Sequence, residues 1–113
     1  MTLAIGVDDA QVPPVLRLRG EIDLNTAPHL SHAADRLIDD GHLVLVLDLS
    51  AVDFCDSSGL SALIRVRNRL LPADGQLILA GPTPMVRRLL ETSGLTEIFG
   101  TYPSVEEARA AIG

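Results

Sequence analysis

The chain has 113 residues, of which 47% are apolar and only 3% aromatic, which suits a single domain with an aliphatic core. The formal net charge is −6, and all nine basic residues are arginine. The densest group, Arg65, Arg67 and Arg69, alternates with uncharged residues and is expected to be solvated or to face a partner. An acidic chain without a basic block is a poor match for nucleic acid or for an anionic membrane, so neither is expected as a direct partner.

The cysteine content and the start of the chain predict a cytoplasmic protein. Cys55 is the only cysteine, so the fold does not depend on a disulfide or on an oxidising compartment. The first residues, MTLAIGVDDAQ, lack the charged start and the long apolar stretch of a signal peptide. No apolar run approaches the ~20 residues that a membrane-spanning helix needs.

The first half of the chain predicts two strands, a helix and a further strand, in that order. Residues 2–7 and 15–19 have strand character, and turn-forming Asp and Pro residues separate them. Residues 27–39 carry apolar side chains at helical spacing, and Thr26 is expected to cap this helix. Residues 42–49 are almost wholly apolar, which is typical of a central strand with one or both faces covered.

The second half predicts a short connection over residues 50–56 and then alternating helices and strands. These are a helix at 58–71, a strand at 76–80, a helix at 85–92, a strand at 98–102 and a helix at 104–112. Ser104 and Glu107 have the spacing of a capping box at the last helix. The order β-β-α-β-α-β-α-β-α predicts one α/β domain over residues 1–113, with a mixed, mostly parallel sheet and right-handed β-α crossovers.

Residues 56–59, Asp-Ser-Ser-Gly, form the segment in which the functional chemistry is expected. They follow an apolar strand and begin a helix, and sites in parallel sheets gather at the carboxyl ends of the strands. The first helical turn has unpaired N–H groups and the positive end of the helix dipole, so it favours an anion such as a phosphoserine. These residue types are also common helix caps, and both roles are compatible. Gly59 costs helix stability, which favours close approach of another group, such as a partner's backbone.

Three segments in register resemble one known family. Residues 56–60, Asp-Ser-Ser-Gly-Leu, are similar to the phosphorylation motif of the STAS-domain anti-sigma-factor antagonists. Residues 20–28, Gly-Glu-Ile-Asp-Leu-Asn-Thr-Ala-Pro, resemble the segment before that family's first helix, and residues 84–95 resemble the segment around its third helix. The match spans essentially the whole chain, and it implies a STAS-like fold with helices mainly on one side of a mixed sheet.

What the resemblance implies for function is partner switching, as in bacterial stress responses or sporulation. In this family the unphosphorylated antagonist binds an anti-sigma factor, which frees a sigma factor and so regulates transcription. The anti-sigma factor is also a serine kinase that uses ATP, and a separate serine phosphatase reverses the modification. The target is the serine directly after the aspartate, which corresponds to Ser57 here, with Ser58 as the fallback. The protein itself is expected not to be an enzyme and to need no cofactor or metal, and its partner-binding residues are expected to be Asp23, Asp56, Ser57, Ser58, Gly59 and Leu60.

Several side chains near this motif have two possible roles. Asp56 is expected either to orient the serine hydroxyl or to act only as a carboxylate at the helix start. Asp23, with Glu21 as a similar candidate, either reaches the same sheet edge or satisfies backbone N–H groups of its own turn. Cys55 is expected to behave as a small apolar side chain, because Asp53 and Asp56 would raise the pKa of its thiol.

Three other functions are compatible with parts of the sequence. Ser57 lies in a strand-turn-helix context like a nucleophile elbow, but Cys55 replaces the first glycine of that motif, and no histidine follows the serine. His29 and His32 are three residues apart on a predicted helix and, with Asp35, have the residue types of a metal site. The third is a STAS domain that senses a small ligand or acts as a scaffold without being phosphorylated.

Overall fold

The computed structural model describes residues 2–112, and its elements follow in the predicted order. The strands are β1 (Leu3–Asp8), β2 (Val15–Ile22), β3 (Val44–Cys55), β4 (Gln76–Ala80) and β5 (Gly100–Tyr102). The helices are α1 (Ala27–Asp39), α2 (Ser57–Leu70), α3 (Pro84–Thr92) and α4 (Val105–Ile112), with one turn of 3-10 helix at Leu71–Ala73 after α2. Within residues 2–112, none of these helices combines the length and the apolar character needed to cross a membrane.

The strands form one sheet in the order β1-β2-β3-β4-β5. β1 is antiparallel to β2, and the other three pairs are parallel. This arrangement follows from the connections, because a short turn can join only antiparallel neighbours, whereas each parallel pair needs a crossover, here provided by a helix. The predicted mixed, mostly parallel α/β fold is therefore confirmed.

Both faces of the central strand β3 are covered, which is one of the two arrangements that its apolar sequence allowed. Leu45 and Leu47 point into the main core, which α1, α2 and α3 cover. Val46 points to the opposite face, where it joins a smaller cluster with Val105 and Ala108 of α4. Three helices thus pack on one face and α4 on the other, so the expectation of helices mainly on one side is confirmed.

The prediction of an irregular connection over residues 50–56 is wrong. β3 continues through Cys55, and β2 continues to Ile22, because these extensions pair with each other. The ladder between them contains two register irregularities, which break the alternation of apolar and polar residues that identifies a strand in a sequence. The longer strands carry the start of α2 to the sheet edge beside the end of β2.

The two predicted helix caps have different outcomes. Thr26 does not cap α1, because its hydroxyl accepts a hydrogen bond from the backbone N–H of Asp23 and donates one to the carbonyl of Glu21. At α4 the Ser104 hydroxyl accepts a hydrogen bond from the backbone N–H of Glu107 at 3.1 Å, as predicted.

The arginines of α2 do not simply point into solvent. Asp35 of α1 forms ion pairs with Arg65 at 3.2 Å and with Arg69 at 2.9 Å, and Arg69 also pairs with Asp39. Arg67 donates from Nε to the carbonyl of Ile98 at 3.1 Å. The two helices are therefore joined by a small charge cluster along their exposed edge.

Candidate functional site

The predicted phosphoacceptor, Ser57, is exposed at the first position of α2. β3 ends at Cys55, so the chain passes through a single residue, Asp56, between the strand and the helix. Ser58, the fallback acceptor, is half-buried. A protein kinase needs access to the hydroxyl oxygen, and Ser57 offers this more readily than Ser58.

Asp56 is the N-cap of α2. Its backbone is extended, and its Oδ1 accepts hydrogen bonds from the backbone N–H groups of Ser58 at 2.8 Å and Gly59 at 3.4 Å. Its own N–H donates to the carbonyl of Ile22, which ties the start of α2 to the end of β2. Of the two roles considered for Asp56, the geometry therefore shows the helix-start carboxylate.

Gly59 is required by packing inside the protein. A Cβ atom at this position would lie 2.4 Å from the Sγ of Cys55 and 3.0 Å from Cγ2 of Ile22. Helix α2 thus passes so close to β2 and β3 that no side chain fits. The expectation that this glycine makes room for a partner's backbone is wrong, because Gly59 is buried, as is Leu60 beside it.

Cys55 is a core residue whose thiol stays protonated at neutral pH. Its side chain is 2% exposed. Burial raises the pKa of the thiol to about 11, and the negative charge of Asp56 contributes a smaller part of that shift. The expected effect of Asp56 is therefore present, but burial is the larger cause, and Asp53 is not among the causes.

Asp23 holds the loop between β2 and α1 in shape. Its Oδ1 accepts hydrogen bonds from the backbone N–H groups of Asn25 at 2.9 Å and Thr26 at 3.0 Å. The hydrogen bond from Thr26 is the main cause that lowers the pKa of this carboxyl group, in opposition to burial. Asp23 is only 8% exposed, so it satisfies its own turn, which is the second of the two roles expected for it.

A groove of about 490 Å³ runs between α1 and the first half of α2, and Ser58 forms part of its wall. Its apolar part is made by Leu24, Ala27, Pro28 and Ala62. Leu24 is 76% exposed, although it is a large apolar side chain in a loop of polar residues. We call this feature the α1–α2 groove.

The polar part of the α1–α2 groove comes from Ser31, His32, Ser58, Ser61 and Arg65. Arg65 is the one arginine in the lining, which contains no Asp, Glu or Lys. The predicted site residues included only Ser58 from this lining. The sequence held one signal for this surface, the large apolar side chain of Leu24 between the polar residues Asp23 and Asn25.

The structure gives little support to the enzyme and metal interpretations. Among residues 2–112, no hydrogen bond joins a histidine to Ser57 or Ser58, so no nucleophile-base pair is formed. Asp35, which was considered with His29 and His32 as a metal ligand, is engaged by two arginines instead. The described part of the chain contains no cluster of three or more His, Cys, Asp or Glu residues that is arranged to hold a metal.

Comparison with known proteins by sequence finds a family match over most of the chain. The model of the STAS domain family matches residues 5–108. The chain is similar to the anti-sigma-F factor antagonist RsfB of Mycobacterium tuberculosis, with 31% identity over 98% of this chain and 90% of the relative.

Solved structures show the same fold. An anti-sigma factor antagonist from Mycobacterium paratuberculosis superimposes with a TM-score of 0.88 and 34% identity, over 97% of this chain and 93% of its own. The anti-sigma factor antagonist SpoIIAA in its unphosphorylated form gives a TM-score of 0.84, over 96% of each chain. SpoIIAA from Bacillus in its phosphorylated form gives 0.77, over 97% of this chain and all of its own. With 24% identity, the SpoIIAA structures are evidence for the fold alone.

Proposed function

The chain belongs to the STAS domain family, and from this membership we propose that it is an anti-sigma-factor antagonist controlled by phosphorylation of Ser57. Its unphosphorylated form binds an anti-sigma factor and frees a sigma factor. The anti-sigma factor is also the serine kinase, with its own bound ATP, and a serine phosphatase resets the cycle. The chain acts in the cytoplasm as a binding protein without a catalytic site or a cofactor of its own.

The observation that carries this proposal is the exposure of Ser57 at the first position of α2. The flanking structure is firmly held, because Asp56 caps the helix and Gly59 fits closely against the sheet. An exposed hydroxyl on a rigid helix tip suits both a docked partner and a kinase. SpoIIAA, a protein of the same fold, has been solved in an unphosphorylated and a phosphorylated form, so this fold is compatible with phosphorylation.

A phosphoryl group on Ser57 is expected to act on binding and to leave the fold unchanged. It adds about −1.5 to −2 charges at neutral pH. At a helix N-terminus this is worth only ~0.3–1 kcal/mol, and here Asp56 already uses the N–H groups of Ser58 and Gly59. Against a docked surface the same group costs several kcal/mol in repulsion and desolvation, and roughly 4 kcal/mol lowers affinity about a thousandfold.

The proposal is tested by a pull-down from an extract of the host cells with wild type, Ser57→Ala and Ser57→Asp. One ATP-binding protein is expected to be retained by wild type and by Ser57→Ala but not by Ser57→Asp. Incubation of the purified pair with ATP should then place one phosphate on Ser57 in wild type and none on Ser57→Ala. Ser93→Ala is the matched control, because Ser93 is also exposed and lies at the end of α3, outside the lining of the α1–α2 groove.

The outcomes separate the alternatives. Circular dichroism of Ser57→Asp should match that of wild type, and a loss of secondary structure would refute a switch that acts on binding alone. Phosphate on Ser58 would contradict the choice of acceptor. Stable binding without any phosphorylation would favour the scaffold or ligand-sensing interpretation instead.

A further inference from the structure

We propose that the α1–α2 groove receives a segment of the anti-sigma-factor kinase that presents an apolar side chain to Leu24 and a carboxylate to Arg65. This inference rests on the proposed function, and it adds the chemistry that selects the partner. Ser57 lies at the start of α2, and the groove begins at the next residue, Ser58. A kinase segment that contacts Ser57 therefore lies next to the groove. Leu24 was not among the binding residues expected from the sequence, and Arg65 was expected only to be solvated or to face a partner.

We infer an apolar side chain on the bound segment from the exposure of Leu24. Its side chain is 76% exposed at the rim of a concave surface that also contains Pro28 and Ala62. The loop that carries it is held by Asp23 and Thr26, so the leucine does not need to move to be covered. Apolar anchors that fill a neighbouring concavity provide much of the energy of protein interfaces.

We infer a carboxylate on the bound segment from the position of Arg65. The whole chain has a net charge of −6, yet the groove lining contains this arginine and neither Asp nor Glu. One nitrogen of its guanidinium contacts Asp35, and Asp35 is shared with Arg69 at the shorter distance of 2.9 Å. The Arg65 side chain remains 57% exposed, so it keeps donors for a second carboxylate. A single arginine in the groove lining suits a carboxylate on a protein, and a chain with a net charge of −6 does not suit an anionic membrane.

The distance between Ser57 and Arg65 along α2 allows the two residues to act independently, one on partner release and the other on partner selection. Ser57 and Arg65 are eight positions apart on one helix, which corresponds to about 12 Å at 1.5 Å per residue. That exceeds the Debye length of about 8 Å at physiological salt, so a phosphate on Ser57 acts only weakly on a carboxylate at Arg65. The groove therefore selects the kinase, and Ser57 controls whether it stays bound.

The test measures the affinity of the purified kinase, obtained from the pull-down described above, for variants of the full chain at low and high salt. Leu24→Ser and Arg65→Gln should each weaken binding by roughly tenfold, as expected for residues at the centre of an interface. Arg65→Gln should also reduce the dependence of affinity on salt, whereas Leu24→Ser should leave that dependence unchanged.

Two controls match these variants closely. Val12→Ser removes an apolar side chain that is 84% exposed in the β1–β2 connection, and Arg69→Gln removes the stronger partner of Asp35 without changing the groove lining. Both should bind the kinase within about twofold of wild type, a difference well below 1.4 kcal/mol. Thermal unfolding of all four variants reports any loss of the fold separately from loss of binding.

Each contrary result has a definite meaning. If Arg69→Gln weakens binding as much as Arg65→Gln, the arginine acts through the α1–α2 ion pairs, and the assignment of Arg65 is wrong. If Leu24→Ser and Arg65→Gln bind like wild type while Ser57→Asp does not bind, the groove assignment fails and the switch at Ser57 stands. If Ser57→Asp also binds, the proposed function fails. Dimerisation of the wild type that Leu24→Ser abolishes would make a second copy the occupant and overturn the proposal.

Discussion

At the scale of single residues, Asp56 determines where α2 begins and therefore where Ser57 is presented. Its carboxylate accepts two backbone hydrogen bonds from the first turn, and its N–H is bonded to β2. Ser57, the proposed phosphoacceptor, is thus held by its neighbour, and Asp56 rather than Ser57 caps the helix. Because Asp56 provides the cap, the exposed hydroxyl of Ser57 is not needed for capping.

The first prediction is that Asp56→Ala lowers the free energy of unfolding by about 0.5–2 kcal/mol, whereas Asp56→Asn changes it far less. The physical reason is that the amide oxygen of asparagine can accept the same hydrogen bonds from Ser58 and Gly59. Urea unfolding at neutral pH measures both values. An asparagine variant as unstable as the alanine variant would show that the charge of Asp56, and not the cap, stabilises this end of α2.

At the scale of elements, the placement of α2 depends on a close contact between the helix and the sheet. Gly59 faces Cys55 of β3 and Ile22 of β2 with no space for a Cβ atom. Because the contact occurs in the first turn of α2, it also sets the position of the helix tip. A change at Gly59 is therefore expected to affect both stability and the presentation of Ser57.

The second prediction concerns this contact. Gly59→Ala is expected to destabilise the protein by about 1–3 kcal/mol through overpacking, even though alanine is the better helix former. Cys55→Ala removes the sulfur that lies 2.4 Å from the new Cβ, so the double variant should recover part of the loss. A double-mutant cycle from urea unfolding measures the coupling. Additive effects of the two substitutions would contradict the packing explanation.

At the scale of the whole molecule, arginine-carboxylate pairs join several helices and strands of this acidic chain. Asp35 connects α1 to α2, and Asp8 contacts Arg17 of β2 and Arg109 of α4. These pairs are partly exposed, and each contributes at most about 1 kcal/mol. Their combined effect should appear as a dependence of stability on pH.

The third prediction follows from the lowered pKa of Asp35. Burial acts to raise this pKa, but hydrogen bonds and charges from Arg69 and Arg65 outweigh it and hold the carboxyl below its ordinary value. A carboxyl with a lowered folded-state pKa stabilises the fold above its unfolded pKa of about 4, and this contribution is lost as pH falls through the folded value. Between about pH 6 and pH 3, the free energy of unfolding of Asp35→Asn should therefore fall less than that of wild type. Urea unfolding at each pH measures both proteins.

The matched control is Asp9→Asn, an exposed carboxylate in the β1–β2 connection that should unfold like wild type across the same range. High salt should shrink the difference between wild type and Asp35→Asn, because exposed ion pairs are screened. Identical acid unfolding of wild type and Asp35→Asn would show that these ion pairs do not contribute to the stability of the fold.

Local patterns were sufficient to predict the element order, the α/β class and a helix that starts beside Ser57. Hydrophobic periodicity and turn residues involve only neighbouring positions, so they can be recognised in the sequence without knowledge of the tertiary structure. The cap at Ser104 is of the same kind, since its partner Glu107 is three residues away.

Such local patterns could not predict contacts between residues that are far apart in the sequence. The extension of β3 through Cys55 depends on pairing with β2, the need for glycine at position 59 depends on Ile22, and the partners of Asp35 are 30 and 34 positions away. The α1–α2 groove likewise exists only because two helices pack side by side with Leu24 at their rim. The reason is physical: burial, ion pairing and surface shape are set by neighbours in space, and those neighbours are known only once the chain has folded.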